Sequence, residues 1–223
     1  MPSRRRFSLL ASILATAGLT FSLAGCPDPE GAFEDFATRY EDNHKTTSTG
    51  TGGSGGGEAC TPATEGELDG EYMFSLSARL SPKKAFALDT TMTTHDDGAG
   101  GLTVDLDLQP LSKDDQTTPV GTVLSFTALP VAADGSFTWD LGMVTLPGAA
   151  NPITGADVVT TLQLAGDLCG GDRAGFVCGD VTGQVTEPLM ADLSPGSAFT
   201  MQAAVGGSLP SPVINCAKDP AVY

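Results

Sequence analysis

From Gly70 onward apolar side chains recur at every second position, the period of a strand with one buried face. Tyr72, Phe74, Leu76, Ala78 and Leu80 form the first series, and Phe86, Leu88, Thr90 and Met92 a less regular second. Leu102, Val104, Leu106 and Leu108 alternate with Thr103, Asp105, Asp107 and Gln109, the clearest half-buried strand in the chain. Leu124, Phe126 and Ala128 follow, then Phe137, Trp139, Leu141 and Met143. Leu162 and Leu164, then Val177, Val181 and Val185, then Phe199, Met201, Ala203 and Val205 complete the set. Turn-forming pairs separate the runs: Asp97-Gly98, Gly100-Gly101, Asp134-Gly135, Pro147-Gly148, Gly170-Gly171 and Pro195-Gly196. Asp134-Gly135, between two alternating runs, predicts a two-residue type I′ hairpin.

The pattern predicts an all-β domain of about eight strands, without a long helix. A sheet with one apolar face must close on itself or fold onto a second sheet. Hairpin-length connections favour an antiparallel up-and-down barrel of lipocalin or avidin size, with the first and last strands as neighbours. A two-sheet β-sandwich is the alternative.

Upstream of Gly70 the period of two is absent. Arg4, Arg5 and Arg6 precede an uncharged apolar stretch from Phe7 to Leu23, which is 17 residues long and short for a membrane span. The small residues Ala24 and Gly25 then stand before Cys26. Leu23-Ala24-Gly25-Cys26 resembles the lipobox of bacterial lipoprotein precursors. That resemblance implies removal of residues 1–25, a diacylated Cys26 as the first mature residue, and a lipid bilayer as partner through its acyl chains. Ser3-Arg4-Arg5-Arg6-Phe7 also resembles the twin-arginine export motif, although Ser8 and Leu9 follow where that family has an apolar residue and a lysine. A basic n-region of the general secretory signal is the other reading. Pro27 follows the cysteine where aspartate would signal inner-membrane retention. The expected location is therefore the cell envelope, the outer membrane in preference, facing the periplasm or the cell surface.

Residues 26–59 read as a lipidated N-terminus and tether. Phe33, Phe36 and Tyr40 fall on one helical face within an acidic stretch. Thr46–Gly57 contains only Thr, Ser and Gly, and the 33 residues after Cys26 would reach ~30 Å root-mean-square as a flexible linker. Residues 60–223 form the domain. Without the three arginines of residues 1–25, the 11 basic residues fall to 8 against 27 acidic ones, a formal −19. That charge argues against nucleic acid, and against an anionic membrane surface, as partners of the protein itself.

With Cys26 acylated, four cysteines remain, an even number in an exported chain and hence two disulfides. Cys169–Cys178 would bracket one short Gly-rich turn, and Cys60–Cys216 would join the ends of the domain across the seam of the barrel.

Candidate chemistry is sparse. His95, Asp96 and Asp97 sit at an expected hairpin tip and offer imidazole and carboxylates to a divalent cation. Asp167, Asp172 and Asp180 surround the Cys169/Cys178 segment and offer oxygens to calcium. Asp105 and Asp107 share a strand face that reads as solvated. His44 lies in the linker. Neither a Gly-x-Ser-x-Gly elbow nor a phosphate-binding glycine pattern occurs. Trp139 could line a cavity for a small apolar ligand, although Phe137, Leu141 and Met143 beside it read as core. The sequence therefore points to a monomeric, non-catalytic binding or structural envelope lipoprotein, with a small apolar ligand or an envelope protein as partner. A calcium-assisted envelope hydrolase and a purely structural surface component are the alternatives.

Overall fold

The computed structural model describes residues 60–223; the signal, Cys26, the Phe33/Phe36/Tyr40 face, His44 and the tether lie outside them. Eight long strands follow one another: β1 (Gly70–Ser77), β2 (Ala85–Asp96), β3 (Leu102–Pro110), β4 (Leu124–Val131), β5 (Ser136–Leu146), β6 (Val158–Asp167), β7 (Phe176–Glu187) and β9 (Ser197–Ala203). A two-residue strand, β8 (Ala191–Asp192), pairs with β7. The ladder order is β4-β3-β2-β1-β9-β7-β6-β5, all antiparallel. This is a nearly closed up-and-down barrel, in which the first and last strands are neighbours as expected. The place without a ladder lies instead between β4 and β5.

Alternation builds the interior. Tyr72, Phe74 and Leu76 of β1, and Leu102, Val104, Leu106 and Leu108 of β3, are buried in one continuous core. An eight-stranded barrel has an interior just wide enough for side chains to fill, and here they fill it. Phe137 stacks on Trp139 with ring centroids 3.8 Å apart, and Phe199 lies near both Phe74 and Phe137. Gly166 and Gly179, register partners on β6 and β7, make room for this cluster. A Cβ on Gly166 would meet the Phe137 ring at 3.2 Å, and one on Gly179 would meet Phe199 at 2.9 Å.

Bulges shift the alternation in two predicted strands. On β5 the register slips between Asp140 and Gly142, and Gly142 takes a φ of 63° that favours glycine. Beyond it Val144 and Leu146 point inward, while Met143, expected in the core, is 74% exposed. On β3/β4 the register slips between Val104 and Leu106, and Ala128 turns outward with a φ of 55°. Leu129 and Val131 are then the buried residues. A bulge frees backbone N–H groups that need acceptors, and aspartates supply them: Asp105 Oδ1 accepts from Ala128 N–H at 2.8 Å and Asp140 Oδ1 from Gly142 N–H at 2.9 Å.

The β4–β5 turn also differs from expectation. Gly135 N–H donates to Ala132 O, and Ala132 N–H to Ser136 O. Gly135 has a φ of 86°, while Asp134 is not left-handed. This is a type I turn followed by a left-handed glycine, the three-residue hairpin loop rather than type I′.

The disulfides pair Cys60 with Cys169 and Cys178 with Cys216, at Cα separations of 5.3 and 5.5 Å; the expected Cys169–Cys178 and Cys60–Cys216 bridges are not formed. The reason is the path of the two chain ends. The N-terminal segment runs beside the end of β6, with Ala63 N–H donating to Leu168 O, Gly170 N–H to Thr61 O, and Pro62 bridging Cys169. The C-terminal segment instead follows the outer wall of β9, where Thr200 Oγ1 donates to Val213 O and Gln202 Nε2 to Ser211 O. There Cys216 meets Cys178, which lies opposite Thr200 in the ladder. Beneath this strap Met73, Ala87 and Leu111 form a second small core with Leu209.

Candidate functional site

The strands run between two ends that are built differently. At one end residues 60–69 fold over the barrel as a cap, with Leu68 buried in the core and its carbonyl accepting from Tyr72 Oη at 2.8 Å. Burial, and then the charge of Asp69, push the Tyr72 hydroxyl up to about 12. Two carboxylates latch the cap. Glu67 accepts from Gly171 N–H at 2.6 Å, Thr64 N–H at 2.9 Å and Thr64 Oγ1 at 3.1 Å, bonds that hold its pKa below the ordinary glutamate value, Gly171 foremost. Asp69 Oδ1 accepts from Thr94 N–H and Oγ1, both at 2.8 Å, and Thr94 Oγ1 accepts from Gly66 N–H. A cleft of about 190 Å³ remains beside the cap, between Thr64, Glu65, Asp96, Gly101 and Ala132.

Among the described residues, none folds over the other end as such a cap. Leu76, Phe86, Leu146, Val158 and Val185 end their strands there and form the floor of an apolar cleft of about 80 Å³. Its walls are loop residues: Leu80 from β1–β2, Ile153 from β5–β6, and Leu189 and Leu193 from β7–β9. Leu80, Leu189 and Met190 are 57%, 72% and 76% exposed. We call this end the mouth. Its loops are tied together by polar side chains. Arg79 N–H donates to Ser197 Oγ and its guanidinium to Ser194 O, both at 2.9 Å. Lys84 Nζ donates to Pro152 O at 2.9 Å. Buried Asn151 holds the β5–β6 loop by donating to Thr154 Oγ1 and Ala156 O and accepting from Ile153 and Thr154 N–H.

The sequence-derived candidates fall elsewhere. Trp139 is fully buried, and its Nε1 donates to Pro130 O at 2.9 Å. Pro130 is on β4 and Trp139 on β5, so the indole links the two strands that share no ladder. A shallow groove of about 480 Å³ runs along the outside of this seam, by Pro130, Ser136, Phe137 and Gly166. Asp96 and Asp97 turn toward hairpin amides: Asp96 Oδ1 accepts from Gly98 N–H, and Asp97 Oδ1 from Ala99 and Gly101 N–H. His95 instead lies 3.4 Å from Asp105 on the solvated wall. Asp167 ends β6, Asp172 sits in the short 3-10 turn Gly171–Arg173, and Asp180 is paired with Ala165 in the β6/β7 ladder. Among the described residues no three His, Cys, Asp or Glu side chains gather as a metal site.

Sequence reasoning missed the mouth residues Leu189 and Met190 and the latches Glu67, Asp69 and Asn151, and it placed Leu80 in the first alternating series, whereas β1 ends at Ser77 and leaves Leu80 exposed in the following loop. Thr64-x-x-Glu67 and Asn151-Pro152 were signals of local capping and turn chemistry; Leu189 and Met190 lie outside any periodic run and carried none. No protein-family model matches the chain, and neither the curated proteins nor the solved structures contain a match.

Proposed function

We propose that the chain is a lipoprotein of the cell envelope, acylated at Cys26 and placed in preference at the outer membrane, whose barrel is a non-catalytic binding module that works through its mouth. One observation carries the choice of surface. The interior is occupied by the protein's own rings, while Leu80 and Leu189 line an apolar cleft at one end and stand exposed there, with exposed Met190 next in the chain. A barrel that enclosed a ligand would keep a cavity against Trp139; this one packs Phe137 there. A purely structural surface component is the second reading, favoured by the same filled interior and by the two disulfides. The calcium-assisted hydrolase gains no support from the geometry: Cys169 and Cys178 are not bonded to each other across the β6–β7 connection, and Asp167, Asp172 and Asp180 form no ligand cluster among the described residues.

Two measurements test the proposal. Cys26→Ser abolishes incorporation of labelled fatty acid and leaves unprocessed precursor; undiminished labelling removes the anchor. Trp139 emission stays unchanged when short-chain fatty acids are added to the purified protein. Strong quenching would place a ligand in the interior and remove the mouth as the binding surface.

A further inference from the structure

The mouth is too small to be a pocket of the ordinary kind. Its volume of about 80 Å³ falls well short of the ~300 Å³ at which sites for drug-sized ligands begin. What distinguishes it is the rim, where three large apolar side chains project from two loops. Their surroundings carry charge of one sign on one side. From Tyr72 to Leu88 the chain contains Arg79, Lys83 and Lys84 and no acid. Arg79 and Lys84 are fixed against neighbouring loops by the bonds described above, while Lys83 is exposed.

We infer that the mouth is a membrane-docking face, on which Leu80, Leu189 and Met190 enter the headgroup–acyl boundary of an anionic bilayer with Arg79, Lys83 and Lys84 beside the phosphates. The inference rests on the anchored reading, and it turns the charge of the whole chain into a question of where each charge sits. Among residues 60–223 there are 20 acidic and 6 basic side chains, but many acids belong to the capped end, among them Glu65, Glu67, Asp96, Asp97, Asp134 and Asp172. The eight residues of β1 run about 26 Å at the usual rise per residue, which separates the two ends by about 20 Å along the axis of a barrel with strands tilted ~40°. Screening at physiological salt reaches only ~8 Å, so those acids do not repel a surface that touches the mouth. Of the acids near the mouth, Asp114 pairs with Lys113, Asp157 accepts from Gly148 N–H and Asp192 accepts from Gln184, while Glu187, at the end of β7, is exposed on the side of Leu189 rather than beside Arg79, Lys83 and Lys84 in the chain. Apolar loop residues beside basic ones is the chemistry of interfacial binding. The 33 residues between Cys26 and Cys60 are long enough to let the end opposite Cys60 reach the bilayer that holds the anchor.

The protein supplies its own control. Met190 at the mouth and Met143 on the barrel wall are 76% and 74% exposed, so peroxide oxidises both at similar rates in free solution. The acylated mature protein is incorporated into vesicles of phosphatidylethanolamine and phosphatidylglycerol, treated with hydrogen peroxide, and mapped by mass spectrometry. Met190 is expected to oxidise about fivefold more slowly than Met143, and Leu189→Asp to remove that difference without lowering Tm. Equal rates at the two methionines in vesicle-bound protein overturn the inference. Protection of Met190 that rises with protein concentration in the absence of vesicles also overturns it, in favour of a second copy of the chain. Failure of the protein to float with vesicles at all is a different result, and removes the anchor rather than the docking face.

Discussion

The two ends of the barrel receive the same eight strands and finish them differently. At the capped end a ten-residue segment, from Cys60 to Asp69, lays Leu68 over the core and is held by Cys60–Cys169, Glu67 and Asp69. At the mouth the loops meet each other through Arg79, Lys84 and Asn151 but leave leucines outside. Apolar exposure at the mouth is therefore a local property of its loops, since the same fold seals its other end. It follows that the two ends respond to substitution in opposite ways.

The largest effect is expected from the cap's covalent link. Replacing Cys60 and Cys169 by serine frees a loop of 109 residues, for which the chain-entropy model gives a loss of up to ~5 kcal/mol. Replacing Cys178 and Cys216, 38 residues apart, releases the strap at up to ~4 kcal/mol. Urea unfolding of the two variants measures the difference, and peptide mapping without reduction must recover these two pairings. A smaller effect separates two leucines. Leu68→Ala removes a plug from a closed core and costs roughly 2–5 kcal/mol, whereas Leu189→Ala at the mouth stays within ~0.5 kcal/mol. Equal losses would mean that the mouth is packed as the cap is.

The smallest expected effect is electrostatic. Bonds from Gly171 and Thr64 hold the Glu67 carboxyl below its ordinary pKa. A carboxylate with a depressed folded pKa stabilises the native state fully above its unfolded pKa of about 4.3, and that contribution is lost as pH falls through the lower folded value. Tm should therefore drop with acid more steeply in the parent protein than in Glu67→Gln. An identical acid slope in the two proteins would show that Glu67 does not latch the cap.

Much of the barrel was legible because its strands alternate. Leu102 to Leu108 needed no other information, since each leucine or valine faces inward and each polar neighbour faces out. The bulges were not legible. Met143 and Val144 are both apolar, so a slip at Gly142 leaves a sequence that fits either register, and only the pairing with β6 decides which one is buried. The disulfides depended on where two aperiodic chain ends run in space, one over the barrel end and one along its wall. Trp139, a candidate cavity residue in the sequence, is buried among the core side chains, and its bond to Pro130 exists only because β4 and β5 meet without a ladder. At the mouth, Leu80 continues the alternation of Tyr72 to Ala78 although β1 ends at Ser77, and Leu189 and Met190 lie in a loop with no period to be read.

The β1–β9 ladder also sets the order of events when the chain folds. Its partners run from Ser77 with Ala198 to Tyr72 with Ala203, so the ring cannot close until residues 198–203 are available. Contacts across such long sequence distances slow folding. Until β9 arrives, β1 and β7 each present an unpaired edge, the kind of surface that templates aggregation. A chain threaded unfolded through a secretory pore reaches closure only on the far side, with its N-terminal edge waiting longest. A chain exported folded must finish that closure before it crosses. The timing of β9, measured by hydrogen exchange on pulse-labelled protein, thus bears on the route of the export proposed above as directly as the arginines at the N-terminus do.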